Sequence, residues 1–486
     1  MEGVRTRLLI LVVCLALAGC GSDQQAATNG ADIVPASAAA FISIDTDADG
    51  SQWERAEGLI GKFPDGEAAI RELRGSFEED TKLDWEDDVK PALGETFAVV
   101  WLDAEEQGQN LVGLTQPRDE DKLRDLIAKA NATDEEEDVV VGEHAGWSVL
   151  ATSQARIDRF KREAARGDKL AEDTAFEDAL AELPDDALVT AFARGQSLVD
   201  LAGSFFLTGA FGFTQPTSGD RPESVATALV AEGGGFRVTS VTRTEVAPSV
   251  APEVYESRLL AEVPADSLAF LSARGGAQVD RQLDQLPADA LRELERELGL
   301  EIQAITALFE NEFALYVRTA IPIPEVTLLL AADDEQAALR TIGGLIEQVT
   351  RREPAQPCHE PEMQAGVEVR CVEFDDFALR YAAFDGKVVI TTGRQSIEEI
   401  RSGGPRLADD EGFKKAREAS GLPDRTAGFL WLDVEDGLPL LLGLAEARNE
   451  DVPDELRRNF EPVTSVVGWA DQDGRTSGAE LFVAID

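Results

Sequence analysis

Hydrophobic and polar positions along this chain fall into two alternating rhythms. FISI (41–44) and TFAVVWL (96–102) are short runs of β-forming residues and predict strands. EDKLRDLIAKA (120–130) sets Leu123, Leu126, Ile127 and Ala130 on one helical face. DVVVGEHAGWSVLAT (138–152) predicts two strands around a turn, and SQARIDRFKREA (153–164) and TAFEDALAEL (174–183) predict helices opened by Ser153 and Thr174. ALVTAFA (187–193), SVATALVA (224–231) and FRVTSVTRTE (236–245) return to strand. Strands joined by short turns pair antiparallel. The expected class is therefore α+β, with helices covering one face of an antiparallel sheet.

The same pattern then recurs. VPASAAAFIS (34–43) resembles VPADSLAFLS (263–272), and GETFAVVWL (94–102) resembles ENEFALYVR (310–318). GWSVLATSQARIDRF (146–160) lies against GKVVITTGRQSIEEI (386–400), and SVATALVAEGG (224–234) against SVVGWADQDGR (465–475). The order is kept, and the offset stays between 216 and 241 residues. This predicts two tandem copies of one module, residues 32–245 and 261–486, joined by a Pro-containing linker over 246–260. Each copy is long enough to bury a core.

The first residues follow neither rhythm. Arg5 and Arg7 precede the apolar run LLILVVCLALA (8–18), which is too short to span a bilayer as a helix and reads as a secretory signal over residues 1–19. Its ending, LAGC (17–20), resembles the lipobox of bacterial lipoproteins. That resemblance implies cleavage before Cys20 and lipidation of its thiol. Residues 20–31 are small and polar, as in a flexible tether. The expected location is outside the cytoplasm, on a bacterial membrane held through the N-terminal lipid.

Charge and cysteines narrow the function. A formal net charge of −48 repels phosphate and excludes nucleic acid as a partner. With Cys14 in the signal and Cys20 lipidated, Cys358 and Cys371 remain, and an even pair outside the cytoplasm predicts a disulfide. A metal site built from Cys358, His359 and Cys371 lacks an evident fourth ligand.

Two motifs carry a family resemblance. VPASAAAFISIDTDADGSQ (34–52) and LDWEDDVKPALGETFAVV (83–100) resemble the uncharacterised bacterial family filed as domain of unknown function 3352. The resemblance implies an envelope-associated protein without assigned chemistry, in which Gly50 and Gln52 are part of a shared signature.

Candidate chemistry is sparse. Asp45, Asp47 and Asp49 in DTDADG begin like a calcium loop, but the twelfth position, where a bidentate Glu belongs, is Ala56. The alternative is an acidic turn in which Asp49 or Ser51 caps the helix around Trp53. His144 sits in a turn and is expected to be exposed and inert. No nucleophile elbow, P-loop, H-E-x-x-H or C-x-x-C occurs. SLVDLAGSFFLTGAFGF (197–213) brings Phe205, Phe206, Phe211 and Phe213 together as either a buried helix or an apolar-ligand site. The copy-two counterpart of this segment is DGLPLLLGLAEA (436–447). The expected function is non-catalytic binding or scaffolding in the cell envelope. The alternatives are capture of a lipid or other apolar ligand, and a hydrolase with an unrecognised carboxylate pair.

Overall fold

The computed structural model describes residues 29–47, 49–81, 83–103, 110–133, 138–195, 222–248, 251–275, 288–320, 323–352, 355–358, 362–447 and 453–486. Cys20 and Phe205, Phe206, Phe211 and Phe213 lie outside the described residues, as does His359.

Among the described residues nineteen strands form one sheet. The first eight are β1 (Ala40–Asp45), β2 (Thr96–Trp101), β3 (Leu111–Thr115), β4 (Val140–His144), β5 (Trp147–Ala151), β6 (Val189–Arg194), β7 (Pro222–Glu232) and β8 (Gly235–Thr244). They pair antiparallel in the order β4-β5-β3-β2-β1-β6-β7-β8. The later strands are β9 (Ser267–Ala273), β10 (Phe313–Arg318), β11 (Glu325–Ala331), β12 (Gln356–Pro357), β13 (Glu362–Gln364), β14 (Val367–Glu373), β15 (Ala378–Phe384), β16 (Lys387–Thr391), β17 (Gly428–Asp433), β18 (Val463–Asp473) and β19 (Thr476–Ile485). They run β14-β15-β16-β11-β10-β9-β17-β18-β19, with β12 and β13 on the outer side of β14. The halves meet where β8 pairs antiparallel with β19, from Arg243 opposite Thr476 to Gly235 opposite Ala484.

Details repeat along with the order. The β4–β5 turn places Ala145 and Gly146 at positive φ, and the β15–β16 turn does the same with Asp385 and Gly386. Pro35 bridges Lys169 as Pro264 bridges Arg406. Asp173 caps helix Thr174–Leu180 by accepting from Phe176 N, and Asp410 caps helix Glu411–Ser420 by accepting from Phe413 N. The cap of the first of these helices is therefore Asp173, one residue before the expected Thr174. The stretch expected to link the halves is anchored from Tyr255 onward, which is buried and exchanges backbone bonds of 2.9 and 3.0 Å with Thr426.

Helices cover both faces of the sheet, not one. The strand period puts Ala98 and Val100 on the face with Phe41, Trp147, Phe160 and Phe176, beneath helices Gln154–Ala164 and Thr174–Leu180. Phe97 and Val99 point the other way, to Leu123, Leu126 and Ile127 of helix Glu120–Thr133 and to Trp85. A sheet buried on both faces reads as near-continuous apolar runs, as TFAVVW does. That explains why the alternation was too weak to show the second helical layer.

Candidate functional site

The two signature motifs meet at one end of the sheet. β1 runs out at Asp45, and the chain turns beside the start of β2. Thr46 N and Asp47 N both donate to Glu95 O, at 2.9 and 3.1 Å, and Thr46 Oγ1 donates to Gly94 O at 2.9 Å. Gly94 is obligatory here: a Cβ would stand 2.0 Å from Gln116 O. Gly50 closes the acidic turn, its N–H donating to Asp47 O at 2.7 Å, and a Cβ on it would press that oxygen at 2.9 Å. Gly50 itself occupies the N-cap of helix Ser51–Ile60 with no side-chain cap bond, so neither Asp49 nor Ser51 fills the expected capping role.

The signature glutamine has a structural task. β6 ends its pairing with β7 at Leu229, two residues short of Ala231. A backbone N–H and C=O left unpaired in a buried strand are costly. Gln52 Oε1 accepts from Ala231 N at 2.8 Å, and Arg55 Nε donates to Ala231 O at 2.9 Å. Two side chains one helical turn apart thus stand in for the missing strand. Trp53, beside them, donates from Nε1 to Asp45 O at 2.9 Å and tethers the helix to the turn.

The second motif forms a platform beneath helix Glu120–Thr133. Leu83, Trp85, Val89, Ala92 and Leu93 are buried against Leu123, Leu126 and Ile127. Asp84 caps the turn by accepting from Asp87 N at 2.7 Å. Asp88 pairs with Lys129, whose hydrogen bond holds the carboxyl below its usual range.

The three aspartates do not share one environment. Asp47 Oδ1 accepts from Arg118 Nη2 at 2.5 Å, and the same guanidinium lies 3.8 Å from Asp49 Oδ2. Asp45 uses Oδ1 to accept from Asp47 N at 2.8 Å. Burial raises its carboxyl to about 7; the bond from Asp47 N opposes this, and the charges of Asp47, Asp186 and Glu95 add to it. Among the described residues no group of three or more His, Cys, Asp and Glu side chains is gathered so as to hold a metal ion. The turn is an acidic knot tied by Arg118, with one carboxyl that exchanges a proton near neutral pH. Sequence reasoning missed Arg118, which lies 71 positions from Asp47 in a polar loop and carries no local pattern.

Other expected residues resolve plainly. Cys358 and Cys371 form the disulfide, with Cα atoms 5.4 Å apart, pinning β12 against β14. His144 is half-buried rather than exposed. Its ring stands edge-on to Phe160 at 5.8 Å, and burial, then Lys169 and Lys161, lower its pKa. The segment expected to correspond to the Phe-rich stretch, residues 436–447, falls in helix Val434–Ala447, in which Leu442 is buried while Leu441 is 59% exposed. No described helix is long and apolar enough to cross a membrane.

Residues 6–160 match the family described as protein of unknown function (DUF3352), a span that contains both signature motifs. The resemblance read from those motifs holds over that span. No curated protein matches the chain. Among solved structures, crystal form IV of TP0453 is similar at 13% identity over 46% of this chain and 76% of that chain, with a TM-score of 0.25.

Proposed function

We propose that this chain is a lipid-anchored extracytoplasmic protein that acts without catalysis, as a binding or scaffolding component of the bacterial envelope. The reading includes an internal duplication: two modules descended from one, fused edge to edge. The observation that carries it is the repetition of strand order, turn conformation and helix caps in the two halves, joined through β8 and β19. Such a seam makes one broad, stiff body rather than two hinged domains. Asp47, which the sequence offered as a cation ligand, is held by Arg118, and Gln52 and Asp88 of the two signature motifs hold the fold together, which supports the same view. LAGC at 17–20 supports the anchor. Fractionation of cells expressing Cys20→Ala tests it. The variant is expected in the soluble extracytoplasmic fraction; retention in the membrane at the unprocessed mass overturns the anchor.

A second reading, contact with an apolar ligand or lipid, is favoured by the exposure of Leu441 on an apolar helix. Leu441→Asp is expected to remove any lipid that copurifies with the protein. Unchanged lipid content sinks that reading.

A further inference from the structure

The two outer ends of the sheet are treated differently. At the far end, β15 carries β14 on its outer side, and β14 is covered in turn by β12 and β13, with the Cys358–Cys371 disulfide clamping them. At the near end β4 holds the place that β15 holds in the other half: each is the first strand of a two-residue hairpin beside β5 or β16. Among the described residues no strand pairs with the outer side of β4.

Hairpin parity says which groups face outward. In a two-residue hairpin the flanking residues, His144 and Trp147 here, form a hydrogen-bonded pair. Gly142 and Val140 then also bond inward, while Val139, Val141 and Glu143 present N–H and C=O to the open side. One side chain confirms this parity. Asn131 Oδ1 accepts from Val139 N at 2.8 Å, and Asn131 Nδ2 donates to Val139 O at 2.9 Å. Its amide reproduces the paired bonds that a neighbouring strand would make at that residue. Counting back from the two turns, Val139 corresponds to Leu379, the residue that β14 pairs through Val372.

We infer that the outer edge of β4 is a strand-acceptor site for an extended basic peptide segment of a partner, with Asn131 as the plug that the incoming strand displaces. The internal precedent is β14, which occupies the corresponding edge over Ala378–Tyr381. Charge names the partner. On this edge Glu143 has a 73% exposed side chain whose carboxylate stands 3.9 Å from Arg124, and the molecule carries −48, so a second copy is repelled and a Lys- or Arg-bearing strand is drawn in. This deepens the binding reading above but does not need the lipid anchor, so loss of one leaves the other standing.

The test is fluorescence anisotropy of the full chain in mild detergent with a labelled nine-residue peptide of alternating Val and Lys. Saturable binding is expected, with about tenfold weakening between 0.05 and 0.5 M salt. Asn131→Ala is expected to tighten binding about tenfold by leaving Val139 unplugged. Val141→Pro removes one outward N–H without touching the β4–β5 ladder and is expected to abolish binding, as is N-methylation of alternate peptide amides. Absence of binding, equal binding of the N-methylated peptide, or binding that survives Val141→Pro overturns the site. Dimerisation of Asn131→Ala in place of tighter peptide binding overturns the basic partner in favour of a second copy.

Discussion

Single residues in this protein are held by close approaches that their types alone permit. Gly94→Ala is expected to cost about 3 kcal/mol, because the new Cβ overlaps Gln116 O and backbone must move. Gly58→Ala, mid-helix with nothing within 4 Å of the added carbon, is expected to gain about 0.5–1 kcal/mol. Urea melts of the pair separate the two cases, and equal effects refute the assignment. Asp45 makes a pH prediction. Its folded pKa, about 7, lies above the value of about 3.8 that the unfolded chain has. The folded state therefore binds the proton more tightly. Its contribution to stability is present below pH 4, is lost as pH rises from 4 to 7, and stays absent above. Asp45→Asn keeps the acceptor for Asp47 N and removes this slope. The variant is expected to gain on the wild type as pH rises, most clearly at pH 8, by thermal melts across that range. Parallel pH curves for the two proteins would show that Asp45 titrates normally.

Elements fail or hold through what fills their unpaired ends. Gln52→Ala strands a buried N–H at Ala231 and is expected to cost about 1–3 kcal/mol, with faster amide exchange at Ala231. Unchanged exchange there would show that the plug does not protect it. How legible such features were in the sequence depends on range. The strand at 41–44, the helix from Glu120 and the hairpin around Ala145–Gly146 follow from local period and turn chemistry, and the structure keeps them. The Cys358–Cys371 bridge followed from counting alone. The partners of Gln52 and Asp47 lie 179 and 71 positions away, where no local pattern reaches. The second helical layer was hidden for a related reason: TFAVVW is apolar on both faces, so its pattern does not announce which helix each face receives.

The whole molecule is organised around its seam. Helix Ser51–Ile60 of the first half packs Trp53, Ala56 and Leu59 against Ile485, and Lys62 Nζ donates to Ile485 O at 2.8 Å. Across the strands, Arg237 holds Glu232 at 2.6 Å and Glu480 at 3.2 Å while its guanidinium lies over Phe482 and Trp469. These bonds predict one cooperative unfolding transition. Denaturation of the unaltered chain followed by amide exchange at Val149 of the first half and at Val467 of the second should give one midpoint; two separate midpoints would show that the halves melt alone. The seam also imposes an order in time. β19, at the middle of the sheet, is synthesised after every other described strand. Until it arrives, β8 offers a ten-residue edge with its partner missing, and Trp53 waits for Ile485. A nascent first half is thus the most aggregation-prone form this chain passes through, and the hazard ends only when the ribosome has delivered the centre of the sheet.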